Sequence, residues 1–202
     1  MTIILDMGGV IMQHNIPACV ARFRELIGEE AMVRVLGLIG KVEGTENTLI
    51  ERFETGDIST EDFLSTLLPY AKSGTTTEDL KQAWNLMHGG IPVERLEMIC
   101  HWHKEGHRLF LLSNNNTLHW ADVFSKYDLS MFEHCFASHL LHCCKPNPQI
   151  FEITDDYLHA HHLPAPYIFV DDIEANRKAA EQFGWTTFPD LETLDSFLHP
   201  HT

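Results

Sequence analysis

The chain has 202 residues, 44% hydrophobic and 21% charged, which suits a globular protein with one full core or a core carrying a modest insertion. Fourteen Lys and Arg against 29 Asp and Glu give a formal charge of −15, which excludes the basic surface that nucleic acid or anionic lipid requires. No apolar run approaches the roughly 18 residues that a membrane-spanning helix needs.

The chain opens on Ile3–Met7, a short apolar run that reads as a buried strand. It has no charged leader and no small-residue cleavage site, so a signal peptide is not expected and the cytoplasm is the expected location. From Pro17 to about Gly90 no strand pattern occurs. Helical segments are expected at Cys19–Ile27, Glu29–Ile39, Asn47–Thr55, Thr60–Tyr70 and Thr77–Met87. Ser59-Thr60-Glu61-Asp62 and Thr75-Thr76-Thr77-Glu78 carry helix-start chemistry. Pro17 and Gly89-Gly90 mark the ends of this block.

Beyond it, strands at Arg108–Ser113, His134–Ser138, Tyr167–Asp171 and Trp185–Phe188 alternate with helices at Pro92–Lys104, Leu118–Tyr127, Pro148–Leu158, Ile173–Phe183 and Leu191–Leu198. Continuous apolar strands joined by helical crossovers imply a parallel sheet buried on both faces. The expected fold is a Rossmann-like, doubly wound α/β core of residues 1–16 and 91–202, with a helical cap of residues 17–90. The odd set Cys19, Cys100, Cys135, Cys143 and Cys144 reads as free thiols.

In an open parallel sheet, functional groups gather at the carboxyl ends of the strands. The first strand ends in Asp6-Met7-Gly8-Gly9, the second in Ser113-Asn114 and the fourth in Asp171-Asp172, with Asn176 four residues on. Lys145-Pro146 follows the third. Each has a plain structural reading: Asp6 as a turn residue, Ser113-Asn114 and Asp171-Asp172 as helix caps, Lys145 as a solvated charge. Together they bring a hydroxyl, an ammonium and three carboxylates to one edge. Clustered carboxylates repel without a cation, and hard oxygen ligands suit Mg²⁺. Such a site can position a phosphate ester, with Asp6 as nucleophile and Lys145 and Ser113 holding the phosphoryl oxygens.

These four segments, in order, resemble the motifs of the haloacid dehalogenase superfamily over almost the whole chain. Phe53–Phe63 is similar to cap sequence in bacterial enzymes acting on α-D-glucose 1-phosphate, a subgroup that also resembles the N-terminal phosphatase domain of soluble epoxide hydrolases. The resemblance implies Asp6 as nucleophile, with Asp6, the Gly8 carbonyl and Asp172 as Mg²⁺ ligands. It implies that Ser113, Asn114 and Lys145 bind the phosphoryl group, with Asp171 and Asn176 behind them. The expected partner is a small phosphate ester, and the expected assembly is a monomer or small homo-oligomer.

Family phosphatases carry a second Asp, an acid/base, two residues after the nucleophile, where this chain has Gly8. The working expectation is a substrate with a good leaving group such as a hemiacetal; a substitute base (His14 or His142) and phosphate binding without useful turnover are the alternatives. A metal-free 2-haloacid dehalogenase is the nearest alternative enzyme, but adjacent Asp171 and Asp172 beside an anionic nucleophile make little sense without a cation. His101-Trp102-His103, His159/His161/His162 and His199-Pro200-His201 are expected to be solvated surface, since no carboxylate or cysteine accompanies them in the pattern.

Overall fold

Runs such as Ile3-Ile4-Leu5 and Leu109–Leu112 put large side chains on both pleat faces, so their strands must be covered on both sides. In the computed structural model, which describes residues 1–39 and 48–200, they are. β1 (Thr2–Leu5), β2 (Arg108–Ser113), β3 (His134–Ala137), β4 (Tyr167–Val170) and β5 (Thr186–Phe188) form one parallel sheet in the order β3-β2-β1-β4-β5. β1 is central, with Ile4 opposite Phe110 on one side and Phe169 on the other.

Eleven α-helices are seen among the described residues. The first five form the insert: α1 (Ile16–Ile27), α2 (Glu29–Ile39), α3 (Leu49–Glu54), α4 (Thr60–Leu67) and α5 (Thr77–Asn85). The others are α6 (Val93–Lys104), α7 (Thr117–Lys126), α8 (Ser138–Leu141), α9 (Pro148–Ala160), α10 (Glu174–Glu181) and α11 (Leu191–Leu198). One sheet face carries Ile3, Leu5, Leu109 and Leu111 and is covered by Ile99 and Trp102 of α6, Val123 of α7 and Leu191 and Leu194 of α11. The opposite face carries Ile4, Phe110 and Phe169 and meets Phe151 and Leu158 of α9 and Ala180 of α10. This alternation of Ile3, Ile4 and Leu5 across the sheet is the period-two geometry of a strand. No helix is long and apolar enough to cross a membrane.

The insert packs around its own core, in which Phe53 stacks on Phe63 at 4.3 Å and Phe63 meets Trp84 edge-on at 4.8 Å. Reciprocal side-chain caps start three of its helices: Thr48 with Glu51, Ser59 with Asp62 and Thr76 with Asp79. Each replaces bonds that the first-turn N–H groups would otherwise lack and contributes about 0.5–2 kcal/mol. The helix expected at Asn47–Thr55 is seen over Leu49–Glu54, and Asn47 lies outside the described residues. The outgoing and returning chains pair with each other: Gln13 N–H donates to Gly90 O, Gly89 N–H to Gln13 O and Asn15 N–H to Met87 O, at 2.7–2.9 Å.

Two local expectations are corrected. Helix α7 is capped by Asn116, whose side chain accepts from His119 N–H at 3.0 Å, and not by Ser113 or Asn114. The single turn α8 after β3 was not expected, because four residues are too few for a helical period to show. All five cysteines are free, as read from the sequence.

Candidate active site

The sheet hydrogen bonding continues just beyond β1 and β4, with Asp6 N–H donating to Val170 O at 2.8 Å and Asp171 N–H to Phe188 O at 3.1 Å. Asp6 and Asp171 therefore stand side by side at the carboxyl edge, where crossovers leave β1 in opposite directions. Lys145 reaches between them: its Nζ lies 3.0 Å from Asp6 Oδ1 and 2.6 Å from Asp171 Oδ2. All three residues are buried, Lys145 to 4% exposure.

The supports of Lys145 are visible. Lys145 N–H donates to Asn114 Oδ1 at 2.7 Å, and Asn114 Nδ2 donates to Lys145 O at 2.8 Å. Asn114 thus uses its side-chain amide to hold the lysine loop. Asp171 accepts from Asn176 Nδ2, 3.0 Å from both carboxylate oxygens, and from Ile173 N–H at 2.9 Å. With the Lys145 bond, these contacts fill most of its acceptor capacity. Asp172 is exposed and faces the loop after β1. There Gly9 sits at φ +79°, and a Cβ on it would collide with the Asp172 carboxylate. Only glycine takes this backbone at little cost and leaves the carboxylate its room.

Oxygen atoms of Asp6, Asp171 and Asp172 all lie within 4.8 Å of one another. Three carboxylates against one ammonium leave excess negative charge, and the donors are hard oxygens without a soft ligand among them, a set that fits Mg²⁺. Burial pushes the Asp6 carboxyl up from 3.8 to about 6; Lys145 pulls it down and the Asp171 charge pushes it up again. Burial opposes the Lys145 charge too, but the Asp6 and Asp171 carboxylates outweigh it and hold the ammonium above its ordinary value.

Ser113, the last residue of β2, is 2% exposed, and among the described residues its hydroxyl makes one hydrogen bond as donor, a long one of 3.4 Å to Asn114 O. It lines a cavity of about 90 Å³ with Met7, Gly8, His14, His88 and Asn114. That is room for about three waters. Docking contacts hold the insert on the core: Ser138 Oγ donates to Glu54 O at 2.6 Å, and His119 Nε2 lies 3.1 Å from Trp84 O. A larger hollow of about 450 Å³, between α1, α2 and Tyr70, contains none of these site residues.

Position 8 is occupied in space, although not in sequence. A Cβ built on Gly8 would stand 2.8 Å from His14 Cε1 and 2.9 Å from His14 Nε2. The imidazole fills the place a Gly8 side chain would take. His142, the other substitute considered, instead has its Nδ1 2.9 Å from Thr55 O and lines a separate surface hollow.

Sequence reasoning missed His119, whose ring stacks on Trp84 at 5.4 Å. Burial holds it neutral, with its pKa lowered to about 3. No motif surrounds it, so nothing in the sequence marked it. The histidine groups lie at the surface as expected, but the absence of carboxylate partners expected for them is corrected. His101 and His199 converge on Glu105, and His199 also meets Asp195. His159 pairs with Asp155, and His201 lies outside the described residues.

Residues 1–184 match the family model of haloacid dehalogenase-like hydrolases. The chain is 29% identical over 195 residues to a D-ribitol-5-phosphate phosphatase of Bacteroides thetaiotaomicron, covering 92% of this chain and 89% of that protein. In structure it is similar to a predicted hydrolase of this family from Porphyromonas gingivalis, with a TM-score of 0.79, 24% identity and coverage of 98% and 97%. It is also similar to a Bacteroides thetaiotaomicron enzyme of the family solved with magnesium and inorganic phosphate, with a TM-score of 0.77, 23% identity and coverage of 93% and 92%.

Proposed function

We propose that this chain, which belongs to the haloacid dehalogenase-like hydrolase family, is a Mg²⁺-dependent phosphohydrolase acting on a small sugar or sugar-alcohol phosphate. The observation that carries the reading is the Asp6–Lys145–Asp171 chain, with Asp172 beside it, at the switch point of the sheet. The phosphatase relative, which acts on a pentitol phosphate, supports the substrate class.

Asp6 is the nucleophile. Its Oδ1 is tied to Met7 N–H at 2.7 Å and to Lys145 at 3.0 Å, which orients the carboxylate and leaves Oδ2 to attack. The new bond joins Oδ2 to phosphorus, and the bond from phosphorus to the ester oxygen breaks. Water then attacks the aspartyl-phosphate and returns Asp6 with inorganic phosphate. Lys145 and Ser113 hold phosphoryl oxygens in position. Asp6, Asp172 and the Gly8 carbonyl would hold Mg²⁺, which when bound neutralises charge on the substrate. Asp171, saturated by Lys145, Asn176 and Ile173, positions the lysine. Residues 17–90 form the cap that closes over the leaving group.

The leaving oxygen needs a proton, and Gly8 has none to give. His14 is the side chain standing in that space, and it lines the same cavity as Ser113. It is the group we assign to proton transfer, a role worth about 10²–10⁴-fold. Two adjacent carboxylates argue against metal-free dehalogenation, because Lys145 alone offsets only one of the three negative charges gathered at Asp6.

Phosphate release from hexose 1-phosphates, hexose 6-phosphates and pentitol 5-phosphates, with Mg²⁺ and with EDTA, tests the assignment. Turnover should require Mg²⁺ and vanish in Asp6→Asn. Activity that survives EDTA, or chloride release from 2-haloacids without metal, would overturn it.

A further inference from the structure

At the opposite edge of the sheet, three residues from two distant parts of the chain meet. His101 lies in the last turn of α6, and Glu105 follows one helical turn later. The short segment ending in His199 leaves α11 directly against them. His101 Nε2 is 3.4 Å from Glu105 Oε1, and His199 Nε2 is 3.1 Å from both Glu105 oxygens. One ligand atom of each of the three lies within 4.8 Å of the others.

We propose that His101, Glu105 and His199 form a surface binding site for a first-row transition dication such as Zn²⁺, clamping α11 to α6. Metal–ligand bonds of 2.0–2.2 Å at tetrahedral angles place neighbouring donors about 3.3–3.6 Å apart; the 3.4 Å pair falls in that range and the 3.1 Å pair lies just short of it. Two imidazoles and a carboxylate suit Zn²⁺ and leave a fourth position for water, whereas Mg²⁺ prefers all-oxygen donors.

A second observation is independent of those distances. His199 Nδ1 lies 3.0 Å from Asp195 Oδ1, and the same oxygen accepts from Trp102 Nε1–H at 2.9 Å. Trp102 is fully buried in the core. Without a cation, Nε2–H donates to Glu105; with the Nδ1 proton held by Asp195, a cation would displace only the Nε2 proton, and the lone pair so exposed faces the shared space. A carboxylate behind a ligating histidine is the usual support of a zinc site, fixing both tautomer and ring orientation. The i, i+4 placement of His101 and Glu105 puts both on one helical face. The pattern of alternate histidines, His101 with His103, plays no part in it.

Equilibrium dialysis and thermal unfolding with Zn²⁺, at millimolar Mg²⁺ to saturate the catalytic edge, test the proposal. The full chain should bind one Zn²⁺ at this site and gain thermal stability. His101→Ala and His199→Ala should weaken that binding at least tenfold, and Asp195→Asn about tenfold through loss of ring orientation. His103→Ala should change nothing. Glu105→Gln keeps the shape of the side chain and covers the case in which an alanine variant folds poorly. Zinc binding that is equal in wild type, His199→Ala and Glu105→Gln, or no zinc-dependent stabilisation in wild type, would overturn the site and leave only ion pairs. Phosphatase activity plays no part in the readout, so this result and the active-site assignment fail separately.

Discussion

Replacing Asp6 by Asn should stabilise the metal-free protein at neutral pH while destroying its chemistry. Asp6 is 7% exposed, and burial raises its pKa from 3.8 to about 6. The native state therefore holds a proton on Asp6 more tightly than the unfolded chain does. Stability from this group is complete below about pH 3.8 and is lost as pH rises through about 6. The ionised carboxylate then costs about 3 kcal/mol at about pH 7.5, from 1.36 kcal/mol per pH unit. A neutral isostere avoids that cost. The advantage of Asp6→Asn should shrink steadily as pH falls from about 7.5 through about 6 and nearly vanish below about pH 3.8, by the same linkage. Urea unfolding of both proteins in EDTA across that pH range measures it. Millimolar Mg²⁺ should stabilise wild type more than the variant and narrow the gap. A variant less stable than wild type at about pH 7.5, or a difference that does not change with pH, would refute the account of Asp6 as a buried, strained carboxylate.

Lys145→Met leaves Asp6 and Asp171 facing each other without their cation, and breaking a buried pair in this way costs about 3–5 kcal/mol. Urea unfolding should show that loss in EDTA and a partial recovery with Mg²⁺, and phosphate release should be abolished. Gly8→Asp should be hindered by the His14 ring that occupies its space, so Gly8→Asp/His14→Ala should release phosphate faster than Gly8→Asp alone. His14→Ala alone should slow poor leaving groups more than good ones, measured on aryl phosphates of graded acidity. His119, held neutral with a pKa of about 3, works with the opposite sign to Asp6. Its stability contribution is present above the ordinary value of 6.5 and lost as pH falls. Relative to His119→Gln, wild type should therefore lose about 2 kcal/mol between about pH 7.5 and pH 5, read from unfolding midpoints at both pH values.

The sequence was enough for the sheet, because strands buried on both faces announce themselves as continuous apolar runs. Every one of the five was placed within a residue or two of its observed bounds. The Asp6, Ser113, Lys145 and Asp171-Asp172 set was legible for a related reason: strand ends in such a sheet converge whatever lies between them. The helices of the insert could be read from period and cap chemistry, both of which are local.

Contacts between side chains far apart in sequence could not be read. Asn114 spends its amide on the Lys145 loop 31 residues away, and His14 folds back over Gly8. His119 becomes neutral only because insert and core close around it. His199 meets Glu105 across 94 residues, whereas the other carboxylate partners of these histidines lie one helical turn away. Period and propensity act over a few residues and determine where strands and helices form. Partners, burial and pKa arise only when the folded chain brings distant groups within a few ångströms, and those quantities decided what stands in the place that Gly8 leaves open.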